Sequence, residues 1–305
     1  MKIYDTIIIG RGPAGLQAAI YTARSGLSTL VLGRNDGALA KADRIENFFG
    51  FPGAVNGKML LEAATIQATN FGAIVKDENV LALEMSSMEP GCYDVTCGND
   101  IYTGRSILLA VGKALPRINK EGIKELEGRG ISYCATCDGF LYRKKKLGVL
   151  GAGEYALHEA EVLRNFSQDI TVYTDGQALY PEIENIMRAY GMKISTGKIQ
   201  GFGGKAPASE KILDKIIFEG GSHENIDGLF IAYDRPGASD FALKLGLLSD
   251  SKGNIKVDEK MVTNLPGVFA AGDCACNFKQ IATAVGQGAL ASESIITYIK
   301  KKHSQ

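Results

Sequence analysis

A run dominated by apolar and β-branched residues opens the chain, Tyr4 to Ile9 in YDTIIIG. A run of this kind predicts a strand buried on both faces, as in a parallel sheet. GRGPAGLQAAIYTARSG follows, a glycine turn feeding a helix. The same order returns in KKLGVLGAGEYALHEAEVLRNF, and STLVLG and DITVYTDG supply the next strand of each unit. A third strand, turn and helix stand in NLPGVFAAGDCACNFKQIATAVGQGALAS, while GCYDVTCG reads as a hairpin. Strands alternating with helices predict an α/β fold class. The expectation is two Rossmann-like, three-layer nucleotide-type domains, the second inserted in the first. The first domain would take residues 1–112 and 245–305, and the second residues 113–244.

Gly10, Gly12 and Gly15 form G-x-G-x-x-G between a predicted strand and helix. The first glycine permits the tight turn, the second lets backbone approach a pyrophosphate, and the third lets helix pack on strand. The helix N-terminus adds amide donors and a partial positive charge. The alternative is a glycine turn in some other α/β protein. STLVLG ends in Gly33 and Arg34 where an acid is usual, which leaves Asp36 as a candidate ribose contact. The second unit carries Gly151, Gly153 and Ala156 as G-x-G-x-x-A. A dinucleotide in each unit would be FAD plus a pyridine nucleotide. The turn at Gly272–Asp273 would aim Asp273 at the ribityl or phosphate part of a flavin.

Composition narrows the class. At 305 residues the chain is long enough for about two domains, and 45% hydrophobic with 22% charged residues suits a soluble globular enzyme. Its formal net charge of zero gives no global field for nucleic acid. No apolar stretch approaches a membrane span, and the first strand begins too early to leave room for a signal peptide. A cytoplasmic location is expected.

In such a compartment a close cysteine pair is read as catalytic or metal-binding before structural. SYCATCDGF holds Cys134 and Cys137 as C-x-x-C, followed by Asp138. That spacing permits a disulfide and commonly lowers one thiol's pKa, and a neighbouring carboxyl can carry the proton that exchange requires. Half a zinc site is the alternative, but zinc needs two more ligands. The remaining cysteines, Cys92, Cys97, Cys274 and Cys276, make no second C-x-x-C and are read as incidental or packed. His158, His223 and His303 show no arrangement with a role. The basic run Arg143–Lys146 is a solvated turn or part of a docking patch.

With these motifs in hand, the chain resembles the low-molecular-weight, bacterial-type thioredoxin reductases over essentially its whole length. The matching stretches are GRGPAGLQAAIYTARSG, IENFFGFPG with GKMLLEAATIQATNFGA, ILLAVGKALPR, ISYCATCDG, IDGLFIAYDRPG, and PGVFAAGD with KQIATAVGQGALA. The resemblance implies a homodimer with an FAD domain and a smaller domain carrying a redox disulfide. It implies that Gly10, Gly12, Pro13, Ala14 and Gly15 cradle the FAD pyrophosphate, and that Asn47 lies near the flavin. Gly272 and Asp273 would hold the ribityl-phosphate region, and Lys279, Gln280, Ile281 and Ala282 the flavin's pyrimidine edge. Cys137 would face the flavin, Cys134 would attack the thioredoxin disulfide, and Asp138 would be the acid/base.

The departures gather at one place. NADPH-using members carry His-Arg-Arg at the second strand end of the inserted domain, whereas this chain reads Tyr173-Thr174-Asp175-Gly176 and has no arginine until Arg188. A bidentate phosphate clamp is therefore missing, and Asp175 would repel a 2′-phosphate. Tyr155 replaces a small residue in the glycine loop, where bulk could block a pyrophosphate. Lys279 stands for the family's arginine, and Ala38 for a glycine. An acid at such a strand end is also what an NAD site uses for ribose hydroxyls. The donor expected first is therefore reduced ferredoxin, as in the ferredoxin-linked flavin thioredoxin reductases, then NADH, then NADPH. A redox-sensing flavoprotein without turnover is the reading from another class, and the carboxylate beside the pair speaks against it.

Overall fold

In the computed structural model, residues 2–112, 118–205, 211–233 and 236–304 are described. The domain boundary at 112/113 lies outside them, as do residues 113–117 and 234–235 of two of the matching stretches. The chain divides into two units, Met1–Leu115 with Gly237–Gln305, and Pro116–Pro236.

The first unit is built on a five-stranded sheet in the order Val268–Ala270, Ile107–Leu109, Thr6–Ile9, Thr29–Leu32, Ile74–Lys76. Every pairing in it is parallel. Thr6–Ile9 is buried at all four positions, which is why its sequence shows no alternation. The glycine-loop helix Pro13–Arg24 and the C-terminal helix Ile281–His303 both pack in this unit. They approach so closely that a Cβ on Gly288 would lie 2.3 Å from the Ala14 carbonyl oxygen. A second, four-stranded sheet includes the expected hairpin, Tyr93–Cys97 antiparallel to Asp100–Gly104.

The domain boundary at 244/245 needs correction. The helix Ala238–Leu245 buries Ala238, Phe241 and Ala242 in the same core as Tyr4, Leu30 and Ile107. The first unit therefore resumes at Gly237, not at residue 245.

The second unit repeats the parallel design in the order Lys193–Ser195, Ile170–Tyr173, Leu147–Leu150, Gly228–Ile231, Ile131–Ser132. Its glycine turn leads into the helix Glu154–Leu163. A three-stranded antiparallel sheet, Ile199–Lys205, Ile212–Phe218 and His223–Asn225, completes it. The fold class is therefore α/β, with a Rossmann-like parallel sheet in each unit.

Candidate functional site: a nucleotide cradle and a cysteine pair

In the first unit the glycine turn is held by sterics. Gly10 takes φ +119°, and a Cβ there would sit 2.1 Å from the Ala110 carbonyl oxygen. A Cβ on Gly15 would lie 2.0 Å from the Gly10 carbonyl oxygen, so the helix can approach the strand only without one. Gly12, the N-cap of the helix, has open space where its Cβ would be. Pro13 follows as the first helical residue, where its missing N–H costs nothing. The sequence reading passed over Arg11, whose Nε is buried without a hydrogen-bond partner among the described residues. An open glycine, a helix N-terminus and an unsatisfied guanidinium nitrogen fit the pyrophosphate of a dinucleotide.

Other expected residues meet the same loop. Gly272, at φ +83°, brings the place of its Cβ to 3.0 Å from the Ala14 Cβ, and its N–H donates to Gln287 Oε1 at 2.8 Å. That sets half-buried Asp273 just beyond the glycine loop. Asn47 Nδ2 donates to Gln280 Oε1 at 3.1 Å, and Gln280 caps the C-terminal helix. Asn47, Lys279, Gln280 and Ala282 are exposed and Ile281 half-buried, so this helix start is open to a ligand. Asp36 is also exposed, and its neighbour Arg34 pairs with Asp77 at 3.8 Å.

In the second unit Cys134 and Cys137 form a disulfide with Cα atoms 5.3 Å apart. Cys134 caps the short helix Ala135–Asp138 and is fully buried, whereas Cys137 is exposed. The Cys137 N–H donates to Cys134 Sγ at 3.1 Å. Ser132 links the pair to its carboxylate: its Oγ accepts the Cys134 N–H at 3.1 Å and donates to Asp138 Oδ2 at 2.6 Å. Glu159, on the glycine-loop helix, accepts the Ala135 N–H at 2.8 Å. Neither Ser132 nor Glu159 was expected, because each acts through a hydrogen bond that only the fold creates. The nearby Tyr142 phenol is pushed up by burial and, secondarily, by the Asp138 charge.

The strand end Tyr173–Gly176 differs from a ribose site. Asp175, at φ +52°, turns inward: its carboxylate accepts from Lys120 Nζ at 2.8 Å and from the Ile199 N–H at 2.7 Å. Lys120 Nζ also donates to the Ile199 carbonyl oxygen at 2.6 Å. The Asp175 side chain is only 8% exposed, so the acid is consumed inside the unit. Tyr155, the second residue of the glycine-loop helix, is buried, and Glu154 before it puts a carboxylate at the helix start. Cys92, Cys97 and Cys274 are buried, and burial pushes the Cys97 and Cys274 thiols up to about 12. Of Arg143–Lys146, the first three are exposed in a turn and Lys146 pairs with Glu224 at 2.8 Å.

Two glycine-turn units, a nucleotide cradle and a disulfide beside a carboxylate define a flavin disulfide oxidoreductase. The chain belongs to the pyridine nucleotide-disulphide oxidoreductase family, whose profile matches residues 4–288. Members of this family bind FAD, which the cradle in the first unit fits. The chain is similar to a thioredoxin reductase of Aquifex aeolicus, 35% identical over 99% of this chain and 95% of that one. Among solved structures it resembles an atypical thioredoxin reductase of Desulfovibrio vulgaris Hildenborough, with TM-score 0.91, 38% identity and 98% of each chain covered. It also resembles a ferredoxin-flavin thioredoxin reductase of Clostridium acetobutylicum, with TM-score 0.71, 27% identity and 99% of each chain covered. Among the described residues no helix is long and apolar enough to cross a membrane.

Proposed function

We propose that the protein is a flavin-dependent thioredoxin reductase whose electron donor is reduced ferredoxin. The inward pairing of Asp175 with Lys120 and Ile199 carries the choice of donor. A pyridine nucleotide needs groups at this strand end for its ribose or 2′-phosphate. The acid at this strand end is already paired within the unit, and the sequence after it offers no arginine before Arg188. Glu154 adds negative charge at the exposed helix start, where a pyrophosphate would need donors. The likeness to a ferredoxin-flavin thioredoxin reductase supports the same reading.

Bound FAD would supply two-electron reduction of a disulfide and can itself be charged one electron at a time. The residues that would hold it are Gly10, Gly12, Pro13, Ala14, Gly15 and Arg11 for the pyrophosphate, Gly272 and Asp273 for the ribityl chain, and Asn47 with Lys279–Ala282 for the ring. In the second unit the exposed Cys137 sulfur is the one open to attack, so Cys134 is the leaving sulfur. The Cys137 N–H lies in hydrogen-bond reach of that leaving sulfur. Ser132 anchors Asp138 Oδ2, leaving Oδ1 to hand over a proton. Two electrons and two protons convert the pair to a dithiol. Cys134 then attacks the thioredoxin disulfide, and Cys137 resolves the mixed disulfide, releasing reduced thioredoxin and restoring the pair. Because Cys134 is buried in the disulfide form, this exchange requires it to be uncovered. As the resemblance implies, the protein would act as a homodimer, and the composition gives the cytoplasm as its expected location.

The second reading keeps a pyridine nucleotide, NADH or NADPH, and the family description favours it. The test is anaerobic mixing of the purified holoprotein with NADPH, NADH or reduced ferredoxin while flavin absorbance is followed. Rapid bleaching by ferredoxin alone is expected. Rapid bleaching by either nucleotide would overturn the choice of donor and leave the thioredoxin reductase reading in place.

A further inference from the structure

Glu159 is 1% exposed on the helix Glu154–Leu163, and its Oε2 takes the backbone N–H of Ala135. Ala135 is the first residue of the short helix capped by Cys134. Two donors of that turn thus have fixed destinations: the Ala135 N–H goes to Glu159, and the Cys137 N–H to Cys134 Sγ. Free N–H groups at such a turn ordinarily stabilise a thiolate. Here one is spent on a carboxylate, and that carboxylate places negative charge one residue from the sulfur. Like charge opposes the thiolate, and burial limits how far solvent screens it.

We infer that Glu159 is a positioning residue for the redox pair. Through Ala135 it fixes the C-x-x-C turn, and by its charge it holds reduced Cys134 as a thiol. Attack on a partner disulfide then waits for a proton to be taken by Asp138, which Ser132 holds on the other side of Cys134. Exchange is thereby gated by a second group and not left to a permanently reactive thiolate. The inference rests on the reading of Cys134–Cys137 as the redox centre. On the same two helices the other titratable groups, Cys137 aside, are Asp138, Glu154, Tyr155, His158 and Glu161. Elements packed against them add Tyr142, Tyr173, Glu182, Glu184 and Arg188. All of these are kept in the variants below.

The experiment uses the FAD-loaded Cys137→Ser protein, in which Cys134 is the only thiol of the motif. Its rate of alkylation by iodoacetamide is followed against pH by mass spectrometry of the Cys134 peptide. Adding Glu159→Gln or Glu159→Ala removes the charge, and the midpoint of the rate curve should move to lower pH by roughly one unit. Adding Glu159→Asp keeps the charge and should leave the midpoint within a few tenths of its starting value. An unmoved midpoint in a folded neutral variant overturns the inference, as does an equal shift with Glu159→Asp. Loss of the folded circular dichroism signal in both neutral variants also overturns it, making Glu159 a folding residue. Thioredoxin turnover by the unaltered protein is measured separately. Its absence would defeat the proposed function while the midpoint shift still reports on Glu159.

Discussion

At Asp175 a carboxylate, an ammonium group and a backbone amide converge in a place that solvent barely reaches. Removing one partner of such a pair leaves an uncompensated charge, at a cost of about 3 kcal/mol. Lys120→Met should therefore lower stability by about that much, read as an earlier urea midpoint, while flavin content stays unchanged. A change of only a few tenths would mean the pair is solvated and contributes little. At the cysteine pair, Asp138→Asn should cut thioredoxin turnover at least about 100-fold. Ser132→Ala should cost roughly tenfold, because the carboxylate stays but loses its anchor. Cys137→Ser should trap a mixed disulfide between Cys134 and thioredoxin, visible on a non-reducing gel, and Cys134→Ser should not. The reverse pattern would transfer the attack to Cys137, the exposed member of the oxidised pair. The glycines and the C-x-x-C-Asp run were legible because each declares its chemistry by residue type and spacing. Ser132, Glu159 and Lys120 were not, since a serine, a helical glutamate and a loop lysine announce nothing until the fold supplies their partners. Asp175 was legible as an acid but not in its direction, which the Lys120 segment decides.

The elements show the same division. Thr6–Ile9, Thr29–Leu32 and Leu147–Leu150 were readable because burial on both faces writes an unbroken apolar run. The strand Ile199–Lys205 was not, because five of the seven residues in IQGFGGK are glycine or polar and the strand mixes buried with exposed positions. The helix Ala238–Leu245 was assigned to the wrong unit, since its apolar face says that it packs but not on what. The contact between the glycine-loop and C-terminal helices leads to a sharper expectation. Gly288 has backbone, not a movable side chain, where its Cβ would go. Gly288→Val should push the C-terminal helix off Ala14 and with it the Gln280 end of the cradle. Purified protein should then lose its flavin absorbance in proportion to the unliganded fraction. A variant that kept a full complement of FAD would show that the cradle tolerates a displaced helix.

For the molecule as a whole, burial of Cys274 ties stability to pH on the alkaline side. Its thiol is pushed up to about 12 by desolvation, whereas an unfolded cysteine ionises at about 8.5. Below about 8.5 both states hold the proton and the contribution is complete. Above it the unfolded chain loses the proton first, so stability falls until the folded thiol also ionises, by up to about 1.4 kcal/mol per pH unit. Cys274→Ala should flatten the fall in urea midpoint above that pH, and parallel slopes in the two proteins would remove Cys274 from the account. The zero net charge adds no global self-repulsion to this picture at neutral pH. If the proposed donor holds, the inward turn of Asp175 reaches furthest, because it would decide what the protein listens to. On the proposed reading, oxidising the nicotinamide pool would leave its output untouched. A cell relying on it could keep its protein thiols reduced through a shortage of NADPH, and would lose that protection when its low-potential electron carriers ran down.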